Sequence, residues 1–154
     1  MLRRICWRLL MAGVFVVVML SGTASARSPD IYTGILSSTA VGGYDPVAYF
    51  RDGKPVQGKK DFTHSWKGVT WRFANAKNLD DFKAKPEAYA PQYGGYCAWA
   101  VSQGYTAKGD PNAWSIVDGK LYLNYNADVH KTWAKDASGN IVKADQNRPK
   151  VLEK

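Results

Sequence analysis

Apolar and polar positions alternate along two stretches of the chain, and the alternation predicts two β-hairpins. In the first, Phe62, His64 and Trp66 share one face of a run, and Val69, Trp71 and Phe73 share one face of the next. Lys67-Gly68 separates them as a turn. In the second, Trp114–Val117 and Leu121–Leu123 flank Asp118-Gly119, a two-residue loop suited to a tight reversal. Between and after the hairpins the spacing changes to helical. Asn75 is placed to cap a helix carrying Leu79 and Phe82, which Pro86 stops before a short helical turn over residues 86–90. Residues 98–101 read as a helix ending at Gly104, with Cys97 in its first turn. Asn126 or Asp128 caps another, holding Val129 and Trp133 and ended by Gly139, and an amphipathic stretch follows from Ile141. Upstream, residues 42–46 (Gly-Gly-Tyr-Asp-Pro) are turn chemistry, and the apolar segment Val47–Phe50 is closed by Asp52-Gly53. The pattern predicts a small α+β domain of two β-hairpins and three to four short helices, without an internal repeat.

The N-terminus follows a different pattern. Arg3, Arg4 and Arg8 precede an apolar run from Leu9 to Leu20, and Ala24-Ser25-Ala26 offers the small residues of a cleavage site. The run is short of the roughly 20 residues that span a bilayer as a helix. Residues 1–26 are therefore expected to be a signal peptide, giving a periplasmic or secreted protein with no permanent membrane span after cleavage. Residues 27–40 read as a flexible leader, 41–146 as the folded domain and 147–154 as a charged tail. Loss of three arginines lowers the formal net charge from +8 to about +5. The remaining basic residues are scattered, and no arginine-rich block or aromatic–basic stripe points to nucleic acid.

Cleavage also leaves Cys97 as the only thiol, since Cys6 lies in the signal. An unpaired cysteine outside the cytoplasm suggests reactive chemistry, a metal or an intermolecular bond, and the competing reading is a small buried hydrophobe. A thioredoxin-type dithiol mechanism is excluded, because there is no Cys-x-x-Cys. If the expected helix starts at Cys97, its dipole and free N–H groups lower the thiol pKa. Gly94-Gly95 would leave space beside the sulfur, and Tyr96, Trp99 and Trp114 are candidate walls of a concave binding surface over it. His64, in an apolar row, is either a hydrogen-bonded core residue or the partner of Cys97 as a base or metal ligand. His130 reads as a solvated helix residue, and Asp45 as the cap of a turn.

Several segments resemble the YHS-domain family, and specifically its exported single-domain group. Residues 43–50 (Gly-Tyr-Asp-Pro-Val-Ala-Tyr-Phe) are similar to a segment of that group, Thr63-His64-Ser65 stands where the family has Tyr-His-Ser, and residues 66–73 match its aromatic hairpin. Phe82 and the run Pro86-Glu87-Ala88-Tyr89 match its helix and the turn after it. The resemblance implies binding of copper or another soft metal, but the positions that carry ligand cysteines in metal-associated members are Ala48, Ala74 and Asn78 here. One thiolate is a poor soft-metal site without histidine help. The Gly-Gly-Tyr-Cys-Ala pattern resembles members with selenocysteine at the position of Cys97, which implies a reactive chalcogen.

Two functions follow. The first is redox or thiol-transfer chemistry at Cys97, with His64 as its base and an external thiol or reductant as partner. The alternative is a copper-type metal module using Cys97 with His64, served by a metal donor. Whether the protein is an enzyme, and its oligomeric state, stay open at this stage.

Overall fold

The computed structural model describes residues 28–152, so the expected signal peptide lies outside the described residues. The first hairpin pairs β1 (Lys59–Trp66) with β2 (Val69–Phe73) around Lys67-Gly68, and the second pairs β3 (Asp110–Val117) with β4 (Lys120–Asn124) around Asp118-Gly119, both antiparallel. Six α-helices surround them among the described residues: α1 (Ala48–Arg51), α2 (Ala76–Ala84), α3 (Pro86–Tyr89), α4 (Ala98–Ser102), α5 (Ala127–Ala134) and α6 (Ala137–Val151). The result is the small α+β domain that the patterning predicts, with two more helices than expected. The segment Val47–Phe50 is largely helical, and the chain after Trp133 turns sharply at Lys135-Asp136 and restarts. Asp136 caps α6 by accepting from the Gly139 N–H at 3.0 Å, so Gly139 opens the last helix and does not end the one before it.

Contrary to the sequence reading, the chain does contain an internal repeat. A short 3-10 turn ending in Gly42-Gly43 leads through Tyr44 and Asp45 into α1, the first hairpin and α2. A second ending in Gly94-Gly95 leads through Tyr96 and Cys97 into α4, the second hairpin and α5. The copies agree in backbone detail. Each hairpin has a register shift at the same place, between Lys59 and Thr63 in one and between Asp110 and Trp114 in the other. The non-glycine residues with positive φ fall into corresponding pairs: Val41 with Tyr93 (53° and 55°), and Lys67 with Asp118 (both 50°). Positive φ is costly for a side chain such as valine, so its recurrence marks a shared backbone path. Asn75 and Asn126 cap α2 and α5 alike, each accepting at 2.9 Å from the N–H three residues on.

Two hydrophobic cores result, one centred on each copy. Trp71, Phe73 and Phe82 pack in the first with Val47 and Tyr49, joined by Leu121 and Leu123 from the second hairpin. Tyr93, Tyr122 and Trp133 pack in the second with Val101, Ala144 and Leu152. Helix α6 lies against α4, and Asn147 Nδ2 donates to the carbonyls of Val101 and Ser102 at 3.1 and 3.0 Å. Residues 147–151, expected as part of a charged tail, therefore continue this helix, and Leu152 after them is buried. The leader is pinned at both ends: Ile31 is buried, the Tyr32 N–H donates to the Gly94 carbonyl, and the Thr70 N–H donates to the Ser38 carbonyl. Between these points Ile35 is 99% exposed.

Candidate functional site

Asp45 and Cys97 occupy corresponding places, each one residue after the tyrosine that follows Gly-Gly. Each backbone N–H is held in the same way, Asp45 by the Val56 carbonyl at 2.8 Å and Cys97 by the Ala107 carbonyl at 2.9 Å. Both side chains then turn inward.

Asp45 is 0% exposed and fully coordinated. Its Oδ1 accepts from the N–H groups of Val47 (2.8 Å) and Ala48 (3.3 Å), and its Oδ2 from the Ala74 N–H (2.8 Å) and Asn78 Nδ2 (2.7 Å). It is thus the expected turn cap and more: a buried carboxylate with four donors tying α1, the end of β2 and α2 together. Ala48, Ala74 and Asn78, the positions where metal-associated relatives are expected to carry cysteine, all converge on this carboxylate.

Cys97 is 1% exposed. It stands as the N-cap of α4, one residue before the first turn where it was expected. Burial pushes its thiol pKa up, and hydrogen bonds from the backbone N–H groups of Ala100, Tyr125 and Trp99 only partly offset this. The expected lowering by a helix start is overturned, because a five-residue helix contributes less than the loss of water around sulfur. Trp99, Ala100 and Tyr125 are the repeat counterparts of Val47, Ala48 and Ala74, so the same set of backbone donors faces the sulfur as faces the Asp45 carboxylate. Asn124, at the end of β4 and 0% exposed, completes the site. Its Oδ1 lies 3.8 Å from Sγ and accepts from the Trp99 N–H at 3.2 Å, while its Nδ2 has no hydrogen-bond partner among the described residues.

The other residues named from sequence are dispersed. His64 faces inward with Phe62 and Trp66 while Thr63 and Ser65 are exposed, as the strand alternation predicts, but its ring meets the edge of Phe82 in the first copy (centroids 6.4 Å apart). Tyr96 packs against Tyr32 and Trp99 joins the second core, whereas Trp114 packs on Tyr49 with the first core. A cleft of about 570 Å³ is lined by Trp66, Lys67, Glu87, Tyr93, Lys120 and Arg148 among others, and Cys97 is not among its lining residues. No group of three His, Cys, Asp or Glu side chains able to hold a metal occurs among the described residues. His130 is not simply solvated: its Nε2 lies 2.7 Å from Ser115 Oγ, and burial lowers its pKa. Sequence reasoning missed Asn124 and the backbone donors, although the recurrence of Gly-Gly-Tyr, of turn-Gly and of Asn-Ala was available to point to them.

Comparison with protein families finds a YHS domain at residues 47–93. The match runs from Val47, at the start of α1, to Tyr93, so Asp45, Cys97 and the second hairpin lie outside it. No curated protein and no solved structure matches the chain.

Proposed function

We propose that the chain is an exported redox protein whose working group is the Cys97 thiol, in the manner of the selenocysteine-containing members it resembles. The observation that carries this reading is the convergence of three backbone N–H groups on one sulfur, donors that favour anionic sulfur species against the burial that opposes them. Enclosure favours a small oxidant over a protein disulfide, and reaction proceeds through local opening of the second copy. Oxidation to the sulfenic acid needs an external thiol to return it, because the chain after the expected signal holds no second cysteine. His64, in the first copy, has no part in this step.

The YHS domain itself favours the second reading, since such domains are often associated with copper handling. One experiment separates the two. Cys97 is treated with one equivalent of hydrogen peroxide, the sulfenic acid is trapped or returned with an added thiol, and a parallel sample is titrated with Cu(I) against a competing chelator. Trapping and recovery of the thiol support redox chemistry, whereas tight stoichiometric Cu(I) without thiol oxidation supports the metal module.

A further inference from the structure

We propose that the Cys97 site is built to hold cysteine sulfinate, the product of two successive oxidations by a hydroperoxide, in the manner in which its repeat counterpart holds the Asp45 carboxylate. The proposal deepens the redox reading above and rests on it for the source of the oxidised sulfur. A cysteine sulfinate has the connectivity of an aspartate: sulfur stands in place of Cγ, and two oxygens stand in place of Oδ1 and Oδ2. Around Asp45 those oxygens take two N–H groups from the start of α1, one from Ala74 and one side-chain amide from Asn78. Around Cys97 the N–H groups of Trp99, Ala100 and Tyr125 stand in the first three places. On the helix Val129 replaces Asn78, and the fourth place falls to Asn124: its Oδ1 accepts from the Cys97 thiol at 3.8 Å and from the Trp99 N–H at 3.2 Å, while its buried Nδ2 has no partner among the described residues. A buried unpartnered amide is costly. With a sulfinate in place of the thiol, half a turn of the Asn124 amide would bring Nδ2 to one oxygen and release the Trp99 N–H to the other.

In the first oxidation the thiolate attacks the terminal oxygen of the hydroperoxide, an S–O bond forms, the O–O bond breaks, and the departing oxygen takes up the proton that left the thiol. Sulfur loses two electrons and the peroxide is reduced to water or an alcohol. A second hydroperoxide repeats the exchange at the sulfenic acid, and the sulfinic acid releases its proton to solvent, leaving the anion in the cradle.

The test uses the full chain carrying Cys6→Ala, so that Cys97 is the only thiol whether or not residues 1–26 are removed. Excess hydrogen peroxide is expected to add two oxygen atoms at Cys97 in the folded protein and to stop there, and the oxidised protein is expected to melt about 4 °C higher than the reduced one. Cys97→Asp, which presents the same anion without oxidation, is expected to melt above Cys97→Ser, and Asn124→Leu is expected to abolish that advantage. Failure of Cys97→Asp to fold, or its melting below Cys97→Ser, overturns the proposal, because a site that cannot hold a carboxylate cannot hold a sulfinate. Absence of the two-oxygen product in the folded chain, or passage to three oxygens, overturns it equally. These outcomes are separate from thiol recovery after one equivalent of oxidant, which alone decides whether Cys97 cycles.

Discussion

The two halves of the molecule share a backbone and differ in what sits at its most enclosed point. In the first, a carboxylate satisfies four donors and locks helix, strand and turn together. In the second, a thiol faces a closely similar set and leaves an amide without a partner. The comparison teaches that the cradle is a property of the repeated Gly-Gly-Tyr turn and the following helix start, and that the residue placed in it decides between a structural lock and a chemically convertible group.

The largest effects should come from the paired core aromatics. Phe82→Ala and Trp133→Ala remove corresponding fully buried rings, and each is expected to cost about 4 kcal/mol in urea denaturation. A much smaller loss at Trp133 would mean that the second copy is the looser one. Next is Asp45→Ala, expected to cost about 3 kcal/mol because it orphans several buried donors at once. Cys97→Ala, by contrast, should cost about 1 kcal/mol, since a thiol hydrogen-bonds weakly. Equal losses at the two sites would break the distinction between lock and convertible group.

The sequence carried the hairpins and caps well, and the repeat poorly. Lys67-Gly68, Asp118-Gly119 and the Asn75 cap are local signals, each read from the few residues that form it. The repeat survives mainly in turn and cap residues, while its core positions have diverged: Phe82 corresponds to Trp133, Leu79 to His130 and Phe73 to Asn124. Divergent interiors hide a shared backbone, because volume and pattern are kept and identity is not. The site was half legible for the same reason. The unusual cysteine drew attention, but its donors are main-chain N–H groups and an asparagine far along the sequence, which no motif announces. The helix start points to a lowered thiol pKa, and the burial that accompanies it, which no local pattern announces, reverses the direction.

Smaller effects sharpen the comparison further. Asn75→Ala and Asn126→Ala should each cost about 1 kcal/mol in thermal denaturation, the two caps behaving alike. His130 stands where the first copy has the apolar Leu79, and burial holds its folded-state pKa below the ordinary 6.5. As pH falls through 6.5 the unfolded chain takes up the proton first, so stability should decline from there toward the folded-state pKa. Replacing His130 with Gln should flatten that part of the stability–pH profile. A profile unchanged by the substitution would remove His130 as its source.

The most direct test of the equivalence between the two sites is the backbone amide resonances of Trp99, Ala100 and Tyr125, compared between the reduced chain and Cys97→Asp. Filling the cradle with a carboxylate should move all three proton resonances downfield and slow their hydrogen exchange, toward the behaviour of Val47, Ala48 and Ala74 around Asp45. Unmoved resonances at these three residues in a folded Cys97→Asp chain would contradict the account, since they would show that the donors do not meet at the Cys97 side chain.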